Sequence, residues 1–270
     1  MTDKALLVGI NAYPSPNELR GCVNDIEDMA TFIVDTYGFQ RADIRLLKDK
    51  RATTRAIRNA LTRLVDGAKP GDRLLFHYSG HGAQMASHDQ KQEIDGLDEV
   101  ICPVDFDWTD AHVLRDKDFH RIFSTVPKGV EFVWVSDSCH SGDLFRDLVD
   151  PNAPYRKARS IAPPPAIAEE IRSAREMGFG RSPLLDPSAA PNVALIAGCK
   201  STQTSADADF GPRANGAATY FLLQQLKRHP RQPLKTVIPK VVQALAAGDF
   251  AQEPQLEGDP GLDARSFLQA

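Results

Sequence analysis

Two short segments hold the side chains with the most chemical reach. Tyr78-Ser-Gly-His-Gly82 closes one apolar run, and Ser136-Asp-Ser-Cys-His-Ser-Gly142 closes another. A Cys just past a strand meets backbone amides, which together with a charged imidazole lower a thiol pKa, and the thiolate is the nucleophilic form. Cys139 is therefore the candidate nucleophile, and His81 the candidate group that protonates a leaving amine. The N–H groups of Gly82 and Cys139 are placed in sequence to form an oxyanion hole. Gly80 and Gly82 flank His81 and carry no Cβ to obstruct an approaching peptide. Each residue has a plain structural alternative, since a Cys after a strand serves as a small buried apolar residue and a His in a turn as a hydrogen-bonding one. Two such residues in Gly-rich turns after separate strands make acyl transfer the stronger reading. His77 lies inside a strand and reads as a core or sheet residue rather than a second base, and His140 points away from its neighbour Cys139 and has a supporting role at most. His88, His112, His120 and His229 show no metal-ligand spacing, and Phe132 and Trp134 read as packing.

The elements that must position these turns alternate in type. Lys4–Ile10 is an apolar strand and Cys22–Tyr37 an amphipathic helix closed by Gly38. Ile44–Leu47 is a short strand, and Thr54–Val65 a second helix stopped by Gly67 and Pro70. Arg73–Tyr78 and Val130–Val135 are further strands, separated by a loop rich in Asp and a helix from about Asp116 to Ser124. A strand at Val193–Ala197 and a helix from about Asn215 to Arg228 follow. This alternation predicts a single α/β domain with a mainly parallel central sheet flanked by helices. In such a sheet the functional groups gather beyond the C-terminal strand ends, here after Ile10, Tyr78 and Val135.

Three stretches divide the chain: a large portion over 1–150, a Pro-rich connector over 151–191, and a small portion over 192–270 that completes the same domain. The connector holds the basic cluster Arg156, Lys157 and Arg159 and reads as exposed, with one short helix around Ile167 to Met177. At 270 residues the chain is long enough for a full core without disulfides or a structural metal. A net charge of −4, with no basic run interleaved with aromatics, argues against a nucleic-acid partner. No apolar stretch is long enough for a membrane span, and Met1-Thr2-Asp3-Lys4 has no signal-peptide character, so a cytoplasmic location is expected. Cys22, Cys102, Cys139 and Cys199 are then read as free thiols.

The two chemical segments resemble the signature motifs of metacaspases, including the bacterial members called orthocaspases. His81 precedes Cys139 by about the 50-residue separation given for caspases. The resemblance runs along nearly the whole chain. Leu6-Leu-Val-Gly-Ile-Asn11 and Leu19-Arg-Gly-Cys-Val-Asn-Asp25 are similar to the family's opening, and Asp98-Glu-Val-Ile-Cys-Pro-Val-Asp105 to the segment after the His turn. Ala197-Gly-Cys-Lys-Ser-Thr-Gln-Thr-Ser-Ala206, Gly216-Ala-Ala-Thr-Tyr220 and Gln252-Glu-Pro-Gln-Leu256 resemble the smaller C-terminal part. The ordered set is specific where single motifs are weak.

That resemblance implies a caspase-like fold and a cysteine endopeptidase that cleaves peptide bonds after Arg or Lys through a Cys–His dyad, acting on proteins as a monomer. It also implies a primary pocket lined by the acids Asp25 and Asp137 with Cys22 and Ser79 beside them, where carboxylates would pair with a basic side chain. The plain readings remain a helix first-turn acid for Asp25 and an Asx turn for Asp137. No cofactor is needed for the chemistry, but many metacaspases need Ca²⁺ as an activator. Asp95, Asp116 and Asp118, with Asp143 or Asp147, are the candidate ligands. Lys117 and Arg146 depart from the expected acidic pattern, and a solvated acidic loop is the alternative. If the pocket takes basic residues, Arg156, Lys157 or Arg159 would be a site of self-processing. Rival readings are a non-catalytic or latent signalling module of the same fold, and a hydrolase that cuts after Asn or acidic residues.

Overall fold

The computed structural model describes residues 2–87, 96–140, 154–176, 192–258, 261 and 264–268. Its centre is a six-stranded sheet. Five of the strands are parallel: β1 (Asp3–Gly9), β2 (Ile44–Lys48), β3 (Arg73–Ser79), β7 (Glu131–Asp137) and β9 (Val193–Ala197). The antiparallel β12 (Gln255–Gly258) closes the edge beside β9, giving the order β12-β9-β7-β3-β1-β2.

Both faces of this sheet are covered, which is why its strands are apolar runs with no alternation. In β1 the side chains of Leu6 and Val8 join the cluster that holds Phe76, Trp134, Phe119 and Phe123. Ala5 and Leu7 point the other way, into the cluster with Leu75, Val133 and Val135. Helices α2 (Thr54–Val65) and α3 (Asp116–Phe123) cover the first face, and α1 (Cys22–Tyr37), α5 (Ala217–Arg228) and α6 (Leu234–Ala247) the second. Helix α1 ends where Gly38 takes the left-handed conformation, φ +75°, and its N–H returns to Val34. Helix α2 starts at Thr53, whose hydroxyl accepts from the Ala56 N–H at 3.3 Å.

Smaller elements flank the parallel core. β4 (Gly82–Ala86), β5 (Leu97–Ile101) and β6 (Leu114–Arg115) form an antiparallel sheet within the stretch expected as an Asp-rich loop. β10 (Ala206–Phe210) and β11 (Arg213–Gly216) form a hairpin, and β8 (Arg156–Ala158) adds to its free edge. Helix α4 (Pro165–Glu176) follows. The basic stretch is therefore not the exposed linker its prolines imply: residues 156–158 are a strand, and Arg159 after it is fully buried. Among the described residues no helix is long and apolar enough to cross a membrane.

Candidate active site

Strand register sets the site. Gly9 pairs with Ser79, and Ser79 with Asp137, so three neighbouring strands end at one level. His81 lies two residues past the end of β3 and Cys139 two past the end of β7, which brings both to the same height above the sheet edge. Both residues are fully buried. The chain turns back at once after His81 into β4, and there Gly82 is required. A Cβ on it would come within 2.5 Å of the Cys139 carbonyl oxygen and 2.8 Å of His140 Nδ1.

One carbonyl joins the two turns. The Gly82 N–H donates to the oxygen of Arg159 at 3.0 Å, and the Cys139 N–H donates to the same oxygen at 3.1 Å. This is the pair of amides expected to hold an oxyanion, here gripping a peptide carbonyl of the chain's own segment. The Cys139 thiol donates to the Gln203 carbonyl at 3.0 Å. Cys199 donates to that carbonyl at 3.4 Å, and its hydrogen bond to Cys139, with burial, pushes its own thiol well up. His81 Nε2 lies 2.7 Å from the Asn17 carbonyl, an arrangement that places the ring proton on Nε2. Burial pushes this imidazole down to about 4, while the Asn17 and Arg159 carbonyls favour its charged form. The neutral ring thus keeps Nδ1, buried and without a hydrogen-bond partner among the described residues, as its free basic atom.

The Arg159 side chain fills a pocket beneath this carbonyl, and all three of its anionic partners are fully buried. Nη2 donates to Asp25 Oδ2 and to Asp207 Oδ1, each at 2.8 Å. Nη1 donates to Ser79 Oγ at 2.7 Å and to the Asp137 carbonyl at 3.1 Å, with Asp137 Oδ1 at 3.3 Å. The carboxylates are themselves held by other elements. Asp25 accepts from Ser79 Oγ, Asn215 Nδ2 and the Gly216 N–H. Asp137 accepts from Ser205 Oγ and from both the N–H and the hydroxyl of Thr219. Asp207 accepts from the backbone of Arg20 and Gly21 and from the Tyr155 hydroxyl. Burying a cation costs several kcal/mol unless it is paired and hydrogen-bonded. This cradle supplies three carboxylates and uses both terminal nitrogens, while Nε has no hydrogen-bond partner among the described residues.

The acids respond differently. Burial pushes Asp25 up to about 6, with the Arg159 guanidinium pulling the other way. Asp137 is also penalised by burial, but Arg159 and the hydroxyls of Ser205 and Thr219 outweigh that and hold it below the usual carboxylate value. Cys22 stands beside the group, its thiol pushed well up by burial, with the Arg159 guanidinium and the Ser79 hydroxyl pulling the other way. Gly216 makes the pocket possible, since a Cβ there would run into the Asp137 carboxylate and the Arg159 guanidinium.

The structure thus brings Cys139, His81, Gly82, Asp25, Asp137, Cys22 and Ser79 to one place. Asp207 completes the pocket and escaped the sequence reading, which followed the motif from Ala197 only as far as Ala206. Asn17 escaped it too, because it acts through its backbone. Of the expected metal ligands, only Asp116 and Asp118 lie among the described residues. Asp118 is engaged by Arg58 at 3.4 Å, by Arg121 at 2.8 Å and by the Arg115 N–H at 3.2 Å. Asp116 is buried and accepts from the Lys117 N–H at 2.7 Å. Asp95, Asp143 and Asp147 lie outside the described residues. Among the described residues no three His, Cys, Asp or Glu side chains form a metal-binding group. Asp116 and Asp118, the two that are described, form no such group with their described neighbours, and no chemical step is routed through Ca²⁺.

A family model described as "Metacaspase, peptidase C14 domain" matches residues 3–148. The chain belongs to the metacaspase family. It is 34% identical to Metacaspase-1 of Scheffersomyces stipitis over 94% of this chain and 70% of that one. It is likewise 34% identical to Metacaspase-1A of Aspergillus fumigatus, over 96% of this chain and 69% of the other. By this membership it is a cysteine-type peptidase, and its substrates are proteins. Solved structures agree on the fold. A Geobacter sulfurreducens protein superposes with a TM-score of 0.71 at 24% identity, covering 100% of this chain and 99% of its own. Caspase-1 from Spodoptera frugiperda gives 0.56 at 12% identity, covering 95% and 85%. The architecture is caspase-like.

Proposed function

We propose that this metacaspase is an endopeptidase that cleaves after Arg or Lys through Cys139 and His81, and that its own Arg159–Ser160 bond is the first one presented. The observation that carries this reading is the seat of Arg159. Its guanidinium lies among Asp25, Asp137 and Asp207, while its carbonyl oxygen accepts from the Gly82 and Cys139 N–H groups. A substrate of the same chemistry would occupy the same seat.

In the reaction the Cys139 sulfur attacks the carbonyl carbon of the basic residue, and the oxygen takes up negative charge between the two amides. Collapse breaks the peptide bond, and the imidazolium of His81 gives its proton to the departing amine. Water then attacks the thioester with His81 as base, releasing the new carboxylate and restoring the thiol. The Asn17 carbonyl orients the ring throughout, and it stabilises the charge the ring carries after taking the thiol proton.

The uncut chain is latent on this reading, because its own residue fills the pocket. That supports latency as a state of the enzyme rather than as a separate function. The test is fluorophore release from Arg-, Lys- and Asp-terminated peptides by wild type and Cys139→Ala, with and without Ca²⁺, alongside intact mass. Release after Arg and Lys only, lost in the variant, with scission at Arg159–Ser160, is the expected result. Release after Asp alone overturns the pocket assignment, and no release under any condition overturns the catalytic reading.

A further inference from the structure

The segment that presents Arg159 offers more than one residue to the cleft. Its main chain is held by bonds that any sequence would make. Arg156, Lys157 and Ala158 pair antiparallel with Ala208, Asp207 and Ala206, the Arg159 N–H donates to Ser205 at 2.9 Å, and the Asp209 N–H to Tyr155 at 3.2 Å. Its side chains then meet features built for cations. Lys157 Nζ donates to the Pro16 carbonyl and, at 2.8 Å, to the Glu18 carbonyl. Burial lowers this ammonium's pKa, with the charges of Glu18 and Asp207 opposing the shift. Arg156 lays its guanidinium over the Phe250 ring, 4.1 Å from the centroid, and donates from Nη1 to the Asp249 carbonyl at 2.9 Å. Phe250 cannot retreat, because Phe210 stacks on it and Phe221 packs edge-on against it.

Resting on the proposed cleavage after basic residues, we propose that this cleft recognises polybasic segments of the form Arg-Lys-X-Arg, with the bond after the last Arg cut. The Pro16 and Glu18 carbonyls form a lysine site for the third residue before that bond. The Phe250 face and the Asp249 carbonyl form an arginine site for the fourth. Neither site needs a carboxylate in contact: one uses carbonyl dipoles, and the other the negative face of an aromatic ring with a carbonyl at its edge. The residue between Lys and the final Arg is read only through its backbone, and here it is Ala158. The carbonyls that hold Lys157 flank that of Asn17, which holds His81, so one turn serves both recognition and chemistry.

The experiment uses the full chain and four fluorogenic peptides ending in Arg-Lys-Ala-Arg, Ala-Lys-Ala-Arg, Arg-Ala-Ala-Arg and Ala-Ala-Ala-Arg. Loss of Arg at the fourth position lowers kcat/KM about threefold, as expected for one exposed cation–π contact. Loss of Lys at the third lowers it about tenfold, as expected for a charge-assisted pair of hydrogen bonds. In Phe250→Leu the ratio between the first two peptides falls to about 1 whatever the variant's absolute rate, because the ring face is what the ratio reports. Equal kcat/KM for all four peptides overturns the polybasic proposal and leaves cleavage after Arg standing. Failure to cut any of the four overturns that cleavage, and the proposal with it.

Discussion

Two groups of acids in this protein have similar composition and opposite behaviour. Asp107, Asp110 and Asp118 cluster in sequence, and their oxygens are used by their own neighbourhood. Asp107 accepts from Thr109 and His112, Asp110 pairs with Arg115, and Asp118 closes the start of α3 and pairs with Arg121. Asp25, Asp137 and Asp207 come from three distant parts of the chain, and each reaches the same buried point. Local acids cap turns and helices at little cost, because water stays close. Distant acids driven into the interior need a cation to justify their burial. Convergence from separate elements, rather than acidity, is what marks a recognition site.

The comparison is sharpest at Asp207 and Asp118. Asp207→Asn lowers kcat/KM for Arg-terminated peptides by about 10²–10³, the loss expected when one partner of a buried charge pair is truncated. Asp118→Asn, read in the same assay, changes it less than about twofold, since its pairs are partly exposed. Similar losses for the two variants would erase the distinction between the groups. Gly216→Ala is the next largest effect. Its methyl enters the space of the Asp137 carboxylate and the bound guanidinium, so cleavage after Arg falls about 10- to 100-fold, in line with the cost of overpacking. An Ala variant with wild-type kcat/KM would mean that the seat is not used as Arg159 occupies it.

The smallest effect is a slope. Asp25, raised to about 6, holds a proton in the folded chain that the unfolded chain has released above its ordinary value of 3.8. Its contribution to stability therefore falls as pH rises from about 4 to about 6. His77 and His81, both pushed by burial down to about 4 from 6.5, work the other way. The unfolded chain binds more protons at these two sites in that window, so their contribution rises with pH. Asp25→Asn removes the opposing slope, and its thermal midpoint climbs more steeply between pH 4 and 6 than that of wild type. Parallel midpoint curves for the two proteins would place the Asp25 proton elsewhere.

What the sequence disclosed follows the same division. β1, β3, β7, α1 and α2 were legible because each is long and apolar enough to state its period without help. β4, β6, β8, β10 and β12 run for two to five residues, and their stability comes from partners far away in the chain. Their half-polar sequences carry no periodic signal of their own. Cys139 and His81 were visible through the glycines and small residues around them. Asp25 and Asp137 were visible only through the family resemblance, since an acid in a helix's first turn or after a strand has an ordinary local explanation. Asp207 and Asp209 alternate with alanines on a short strand, a pattern that has an ordinary solvent-facing explanation. Arg159 was hidden by the prolines around it, which advertise a linker. Asn17 contributes a carbonyl, a group every residue has.

Arg159 and Cys139 belong to one chain, and that fixes the kinetic order of the proposed first cut. A tethered segment faces its own nucleophile at an effective concentration of about the millimolar range, which no dilution of the protein alters. The first scission is unimolecular, with a half-time equally long in a crowded sample and a sparse one. Peptides at micromolar levels compete poorly until the tether is severed and its new carboxyl end can leave. The delay before the enzyme turns to other proteins is then a clock set by one rate constant, indifferent to how many copies are present.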